Sequence, residues 1–307
     1  MPPIKRAKAP KIAPKSPLAA ADSKDEARGL KSQYLIATQR YAAQVLPQIK
    51  AKIEDSITKE TNINMLILSK TEMKANDFVA IHITFRIYQH LQAICLWEIT
   101  LKPGAINMLC ELLYKQPTIT HLEIVSSELV PQDISTLASH LKIESSLKYI
   151  NLDHNQLMQS SVLIFSAFEG PRSKLGKLSM RYCSITSNCS ESIARLIENC
   201  PTLTNLDLHG NNIGDAGLYA IAGPLSRTKN LESFSLAFNQ IGGSIVDGRN
   251  SFSLLCSAVA ANNLWVLDLS GNFFGNHGMQ HIVELMKTRK NNSLPINVVG
   301  TGTRRLI

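Results

Sequence analysis

The stretch LTNLDLHGNNIGDAGLYAIAGPLSRTKN, residues 203–230, decides the fold because it is one complete copy of a repeat. Its first leucines are spaced as in a short strand, Asn211 follows at a turn, and Leu218, Ile221 and Leu225 recur at helical spacing. The pattern L-x-x-L-x-L-x-x-N-x-L returns every 28 residues, with one longer step of 33 before the last copy. The copies begin at Ile63, Leu91, Ile119, Leu147, Leu175, Leu203, Leu231 and Leu264. Because each unit buries its apolar face against its neighbours, the repeats predict a solenoid with a parallel inner sheet and outer helices.

The copies LTNLDLHGNNIGDAG and LWVLDLSGNFFGNHG, with the 28-residue length, resemble ribonuclease-inhibitor-type leucine-rich repeat proteins. The resemblance covers residues 63 to about 298 and implies a curved α/β solenoid of about eight repeats with full helices on its convex face. It also implies a ladder in which an asparagine or cysteine at each turn bonds neighbouring backbone. The ladder position is occupied by Thr71, Ile99, Ser127, Asn155, Cys183, Asn211, Asn239 and Asn272. Since an isoleucine side chain cannot hydrogen-bond, we expect less regular turns in the N-terminal half.

Two segments precede the repeats of residues 63–307. Residues 1–30 are predicted to be an extended, basic tail, because the first 20 residues contain five prolines and no acid. Residues 31–62 carry apolar side chains at helical spacing, and Pro47 divides the pattern into two helices. We expect these helices to cap the apolar end of the solenoid, with an exposed partner-binding helix as the alternative. The basic residues of the tail, predicted to contact a partner, are Lys5, Arg6, Lys8, Lys11 and Lys15.

Charge and composition indicate the compartment and the kind of partner. The net charge is +8, and +6 of it lies in residues 1–62. The tail is therefore expected to seek an acidic partner, although a solubilising role would give the same pattern. The sequence contains no export signal and no apolar run of membrane-spanning length, and its six cysteines are scattered. These features predict a cytoplasmic protein with reduced thiols and no membrane contact.

No motif indicates catalysis. The sequence lacks a phosphate-binding loop followed by Lys-Ser/Thr, a His-Glu-x-x-His motif and a nucleophile elbow. Asp207 and His209 lie two residues apart on one strand, but without a nucleophile they are interpreted as a surface pair. We therefore expect a non-enzyme with no cofactor, no metal and no small-molecule substrate. Five extra residues around 241–251 are interpreted as a surface loop, and a functional loop is the alternative.

The open face of the inner sheet is the predicted partner-binding surface. Aromatic and arginine side chains are enriched at the energetic centres of interfaces, and the acids on this face could receive a basic partner. The predicted contact residues are Trp97, Glu98, Glu123, Asp153, Arg181, Tyr182, Asp207, His209, Phe238 and Asp268.

These features predict a protein–protein interaction scaffold. Short arrays of this type are similar to components of axonemal assemblies, so a cytoskeletal or ciliary setting is favoured, with tubulin or other axonemal proteins as partners. The alternative is an enzyme regulator similar to ribonuclease inhibitor or the activator of the Ran GTPase, although a basic Arg304-Arg305 end stands where the activator has an acidic segment. Nucleic-acid binding is not expected, because the repeats show no basic stripe. An immune-receptor fragment is not expected either, because no nucleotide-binding domain precedes the repeats.

Overall fold

The structure, a computed structural model, describes residues 17–246, 248–261, 264–288 and 296–297. Its strands are β1 (Met65–Ser69), β2 (Glu72–Met73), β3 (Ala93–Trp97), β4 (Thr100–Leu101), β5 (His121–Val125), β6 (Tyr149–Asn151), β7 (Lys177–Ser179), β8 (Asn205–Asp207), β9 (Ser233–Ser235), β10 (Ile245–Val246), β11 (Arg249–Asn250), β12 (Val266–Asp268) and β13 (Ile296–Asn297). Its α-helices are α1 (Pro17–Arg40), α2 (Pro47–Lys59), α3 (Ala75–Phe85), α4 (Ala105–Lys115), α5 (Pro131–Glu144), α6 (Ser161–Ala167), α7 (Ser190–Asn199), α8 (Gly214–Arg227), α9 (Ser251–Ala261) and α10 (Gly275–Thr288).

Nine of the thirteen described strands form one parallel sheet in the order β1-β3-β5-β6-β7-β8-β9-β12-β13. The predicted solenoid of strand–turn–helix repeats is therefore confirmed. The strands pair so that equivalent positions of successive repeats lie side by side. One such row faces the core: Leu66, Ile94, Leu122, Ile150, Leu178, Leu206, Phe234 and Leu267, all of them buried.

Each helix closes the core on the opposite side from the open face of the sheet, which we call the concave face. In α8 the residues Leu218, Ile221 and Leu225 are fully buried, as their helical spacing predicts. Full burial of one such side chain stabilises the fold by about 1.5–3 kcal/mol, so the repeated stripe contributes to the cohesion between repeats. Among the described residues, no helix is long and apolar enough to cross a membrane.

The ladder forms as the resemblance implies. The buried amide of Asn211 donates from Nδ2 to the carbonyls of Met180 (2.9 Å) and Leu208 (2.8 Å). Its Oδ1 accepts the backbone N–H groups of Cys183 and Ile185, both at 3.0 Å. Each such side chain therefore connects its own repeat to the preceding one. The other asparagines with cross-repeat bonds of this kind are Asn155, Asn239 and Asn272.

Cysteine and serine replace asparagine in two turns and make fewer bonds. The Sγ of Cys183 donates to the carbonyl of Leu152 at 3.2 Å, and burial raises the pKa of this thiol to about 12, which keeps it protonated as a donor. The Oγ of Ser127 accepts the backbone N–H of Ile99 at 3.2 Å. The thiol of Cys183 therefore continues the ladder as a donor, and the hydroxyl of Ser127 continues it as an acceptor.

The first turns follow a different course, in line with the missing asparagines. After β1 and β3 the chain forms a second, two-stranded parallel sheet from β2 and β4. Ile99 is buried there and contributes packing where later turns have an amide. Backbone pairing between β2 and β4 thus supplies hydrogen bonds that the side chains of these two turns do not.

Helices α1 and α2 lie at the N-terminal end of the sheet, where α2 contacts β1 and α1 contacts α3. Pro47 is the first residue of α2, so the predicted break falls where the sequence indicates. Of the predicted apolar stripe, Tyr34, Ile49 and Ile53 are buried, whereas Val45 is exposed. The Tyr34 hydroxyl accepts the backbone N–H of Leu46 at 2.8 Å, which ties the two helices together. Most of the stripe is therefore buried against the rest of the protein.

The prediction of an extended tail over residues 1–30 is wrong for residues 17–30, which belong to α1. The segment LAAADSKDEA, residues 18–27, is rich in good helix formers, and proline is well tolerated as the first residue of a helix. The basic residues Lys5, Arg6, Lys8, Lys11 and Lys15 lie outside the described residues.

The five-residue insertion forms an antiparallel hairpin of β10 and β11. The carboxylate of Asp215, in the first turn of α8, accepts the backbone N–H groups of Gly242 and Gly243, and also the hydroxyl of Ser251 at 2.8 Å. The insertion is therefore fastened to the neighbouring helix at both of its ends.

Candidate functional site

One backbone feature recurs at the edge of the concave face. A residue with a left-handed φ near +50° to +70° lies one position after β1, β3 and β5 and three positions after β6, β7, β8, β9 and β12: Lys70, Glu98, Ser126, His154, Tyr182, Gly210, Phe238 and Gly271. The N–H of Tyr182 donates to the carbonyl of His209 at 2.9 Å, and that of Phe238 donates to the carbonyl of Ser270 at 2.8 Å. The left-handed turns therefore continue the pairing of the repeats beyond the strands. They also aim their side chains along one edge of the sheet.

Four of the side chains at this edge form an aromatic row, consisting of His154, Tyr182, His209 and Phe238. The rings of His154 and Tyr182 stack at 4.9 Å and 19°. Tyr182 meets His209 edge-on at 5.1 Å, and its hydroxyl lies 2.8 Å from His209 Nε2. The rings of His209 and Phe238 are also 5.1 Å apart. Contacts of this kind hold each ring in one orientation.

The row is nevertheless open to solvent, since Tyr182 is 46% exposed and Phe238 is 53% exposed. Glycine makes room for both rings. A Cβ atom at Gly210 would lie 2.3 Å from the Tyr182 ring, and one at Gly271 would lie 2.5 Å from the Phe238 ring. Each ring thus lies flat against the backbone of the next repeat and keeps its other face free for a partner.

The acids of the concave face are largely engaged within the molecule. Asp207 accepts from Arg181 Nε at 2.6 Å and from the backbone N–H of His209 at 3.1 Å. Asp153 accepts from the backbone N–H of Arg181 at 2.8 Å and from the Ser179 hydroxyl at 2.7 Å. Burial raises the pKa of Asp153, whereas the hydrogen bond that Arg181 donates to the carboxylate of Asp207 raises the pKa of Arg181. Both carboxylates therefore already accept hydrogen bonds from the protein itself.

A second reason for acids on these strands is local. Asp207 and Asp268, and likewise Asn151, accept the backbone N–H of the residue two positions further on, at 2.9–3.1 Å. Such a bond completes the end of the strand, as in an Asx turn. The sequence interpretation of Asp207 and Asp268 as partner contacts therefore overlooks their structural role.

The predicted contact residues fall into separate groups. Arg181, Tyr182, Asp207, His209 and Phe238 are brought together on adjacent repeats, with Asp153 beside them. Trp97 and Glu123 form a different cluster nearer the N-terminus, where Trp97 Nε1 donates to Glu123 Oε2 at 2.7 Å.

Two other predicted residues lie apart from these groups. Glu98 is exposed and lies 3.9 Å from Lys70, while Asp268 lies at the C-terminal end of the sheet. The residues that sequence reasoning missed are His121, Tyr149 and His154. His154 falls in the 28-residue register on the row of Glu98, Tyr182 and Phe238, whereas His121 and Tyr149 share a row that contains no predicted residue.

A family model described as "Leucine Rich repeat" matches residues 199–222. This segment runs from the end of α7 through β8 and into α8, within the repeat that shows the full asparagine turn. The chain thus contains leucine-rich repeats.

Relatives of this leucine-rich repeat protein are found among large multidomain proteins. NACHT, LRR and PYD domains-containing protein 4C of Mus musculus is 23% identical over 237 residues, covering 76% of this chain and 23% of the relative. NACHT, LRR and PYD domains-containing protein 5 of Mus musculus is 31% identical over 127 residues, covering 39% of this chain and 11% of the relative. The chain thus spans about a quarter or less of the length of these relatives.

Solved structures with a similar course include the tropomodulin C-terminal domain of Caenorhabditis elegans, at 13% identity and a TM-score of 0.39, covering 60% of this chain and 92% of that one. An internalin of Listeria monocytogenes matches at 15% identity and a TM-score of 0.37, covering 92% of this chain and 90% of that one. TM-scores this low say nothing about a shared partner.

The position of the Tyr182 ring can be tested at Gly210. Both Gly210→Ala and Gly214→Ala place a side chain at a left-handed φ, but only the first meets a ring, since nothing lies within 4 Å of a Cβ atom at Gly214. We expect Gly210→Ala to lower the free energy of unfolding by about 1 kcal/mol more than Gly214→Ala, because the displaced ring loses stacking and a hydrogen bond. Urea unfolding measures this difference, and equal costs would contradict the described packing of Tyr182.

Proposed function

We propose that this leucine-rich repeat protein is a non-catalytic scaffold that docks a protein partner on its concave face, with the aromatic row as the centre of the contact. The observation that carries the proposal is that Tyr182 and Phe238 are about half exposed and yet held in fixed orientations by their neighbours. Exposed aromatic rings usually lose side-chain freedom when a partner binds. Rings already ordered avoid most of that cost and suit an energetic centre.

The charges beside the row indicate the chemistry of the partner. Arg181 and Asp207 neutralise each other, and Asp153 is satisfied by backbone and hydroxyl donors. A strongly basic partner therefore finds few free acids here. The surface suits a partner segment that presents apolar or aromatic side chains with a few hydrogen-bonding groups, rather than the basic segment that the count of acids predicts.

Capture of partners from cell extract tests the docking surface. We expect the double variant Tyr182→Ala/Phe238→Ala to lose partners that the unaltered protein retains, with at least about a tenfold loss of affinity for a purified partner. The matched control is Trp265→Ala, because Trp265 is an equally bulky, exposed ring that precedes β12 at the other edge of the sheet. Loss of the same partners in both variants, or in neither, would contradict the proposed surface.

For the cellular setting we propose a cytoskeletal or ciliary assembly built on microtubules. What supports it is the charge distribution: five basic residues and no acid lie within residues 1–16, whereas residues 63–307 are nearly balanced. Tubulin-type surfaces are acidic, and a basic arm is attracted to such a surface through long-range electrostatics. The arm would then locate the protein, while the concave face holds a second partner.

Co-sedimentation with microtubules tests the role of the arm. Removing residues 1–16, which leaves the described part of α1 intact, is expected to abolish pelleting at physiological salt. Replacing Lys5, Arg6, Lys8, Lys11 and Lys15 with glutamine should have the same effect. The matched control replaces five exposed lysines elsewhere with glutamine, namely Lys50, Lys52, Lys142, Lys148 and Lys177. Equal pelleting of all four proteins would rule out the arm as a microtubule contact.

A further inference from the structure

A cluster of three metal-ligating side chains lies on the concave face, apart from the aromatic row. Cys95 of β3 and Glu123 of β5 are register partners on adjacent strands, and His121 precedes Glu123 by two residues on the same face of β5. The parallel register therefore places all three side chains beside one another. One potential ligand atom from each lies within 4.8 Å of the other two.

The carboxylate of Glu123 is the centre of the cluster. Its Oε1 lies 2.9 Å from His121 Nε2, and its Oε2 accepts the indole N–H of Trp97 at 2.7 Å. The Sγ of Cys95 lies within 4.8 Å of an oxygen of this carboxylate. A thiol, an imidazole and an indole thus converge on one acidic group.

The surroundings hold these groups in place and partly exclude water. Cys95 is only 1% exposed, and the side chain of Glu123 is 15% exposed. The ring of Tyr149 on β6 stacks on His121 at 4.2 Å and 25°, which fixes the plane of the imidazole. His121 itself is 29% exposed, so the cluster opens on one side only, toward the concave face.

We propose that Cys95, His121 and Glu123 bind one zinc ion, with a fourth position open to the concave face. Sulfur, imidazole nitrogen and carboxylate oxygen are the ligands that zinc prefers, and three protein ligands with one open position are a common arrangement. Zinc–ligand bonds of about 2.0–2.3 Å in a tetrahedron separate the ligand atoms by about 3.5 Å. The separations in the cluster, from 2.9 Å to within 4.8 Å, reach that value through small side-chain rotations.

Binding requires a defined movement of protons. The thiol of Cys95 releases its proton to solvent and coordinates as thiolate, while His121 carries its ring proton on Nδ1 and coordinates through Nε2. Glu123 coordinates through Oε1 and keeps the hydrogen bond from Trp97 on Oε2. Such a bond from outside the ligand set orients a ligand and commonly changes metal affinity 10–100-fold when it is removed, so Trp97 is a positioning residue for the site. The thiolate and the carboxylate together balance the charge of the ion.

The cysteine spacing alone does not predict this site, because the three ligands come from two repeats and only one of them is a cysteine. From the sequence alone, accordingly, no metal is expected. The inference depends on the register of β3 and β5, which the structure supplies.

Zinc binding to the full chain, purified with its thiols reduced, tests the proposal by competition with a chromophoric chelator. We expect one high-affinity ion per chain, and at least about tenfold weaker binding in Cys95→Ser and in His121→Ala. The matched control is Cys256→Ser, since Cys256 is a partly buried thiol on α9, remote from β3. Far-UV circular dichroism verifies that each variant is folded.

Two spectroscopic measurements on folded protein do not depend on loss-of-ligand variants. With Trp265→Phe, Trp97 is the sole tryptophan, and its emission should change on addition of one equivalent of zinc. Cobalt(II) should give a thiolate charge-transfer band that Cys256→Ser retains. The proposal would be overturned by any one of three results: no stoichiometric zinc binding, no change in Trp97 emission on addition of zinc, or zinc affinity that Cys95→Ser and His121→Ala leave unchanged.

Discussion

The rest of the structure depends on the buried amide side chains at the turns. The hydrogen bonds of a three-residue strand do not extend into the turn that follows it. The backbone N–H and C=O groups of that turn are buried and therefore need other hydrogen-bond partners. Asn155, Asn211, Asn239 and Asn272 satisfy them by bonding at once to their own repeat and to a neighbouring one. In the repeats that have an asparagine, this bond fixes the geometry of the turn that follows the strand.

The same constraint connects the fold to its surface. Because the turn is fixed, the left-handed residue directs its side chain along the concave edge in every repeat, and the identity of that residue determines what the edge presents. Tyr182 and Phe238 present rings there, while Gly210 and Gly271 leave the space those rings occupy. The turns without asparagine, near Thr71 and Ile99, lie in the half of the molecule that has five-residue strands and the cluster around Glu123. The two halves thus present different chemistry on one continuous sheet.

The periodic features of this molecule were predictable from the sequence, and the features that cross between repeats were not. A 28-residue period indicates the parallel sheet, the buried leucines and the position of each asparagine, because all of these recur. It does not show that Arg181 pairs with Asp207, or that Trp97 donates a hydrogen bond to Glu123, since each contact joins particular side chains of different repeats. The prediction of an extended tail over residues 1–30 misses the helix that begins at Pro17, because it applies the proline-rich character of the first residues to the alanine-rich segment that follows them.

The central claim is that the asparagine amides hold the solenoid together, and urea unfolding of Asn211→Ala beside Asn212→Ala measures it most directly. Asn211 is buried with bonds to two carbonyls and two N–H groups, whereas the neighbouring Asn212 is exposed and bonds to Ile185 through its backbone. Asn211→Ala leaves those groups without partners and is expected to cost about 3 kcal/mol or more, with Asn212→Ala within about 0.5 kcal/mol of the unaltered protein. Equal stability of the two variants would contradict the account.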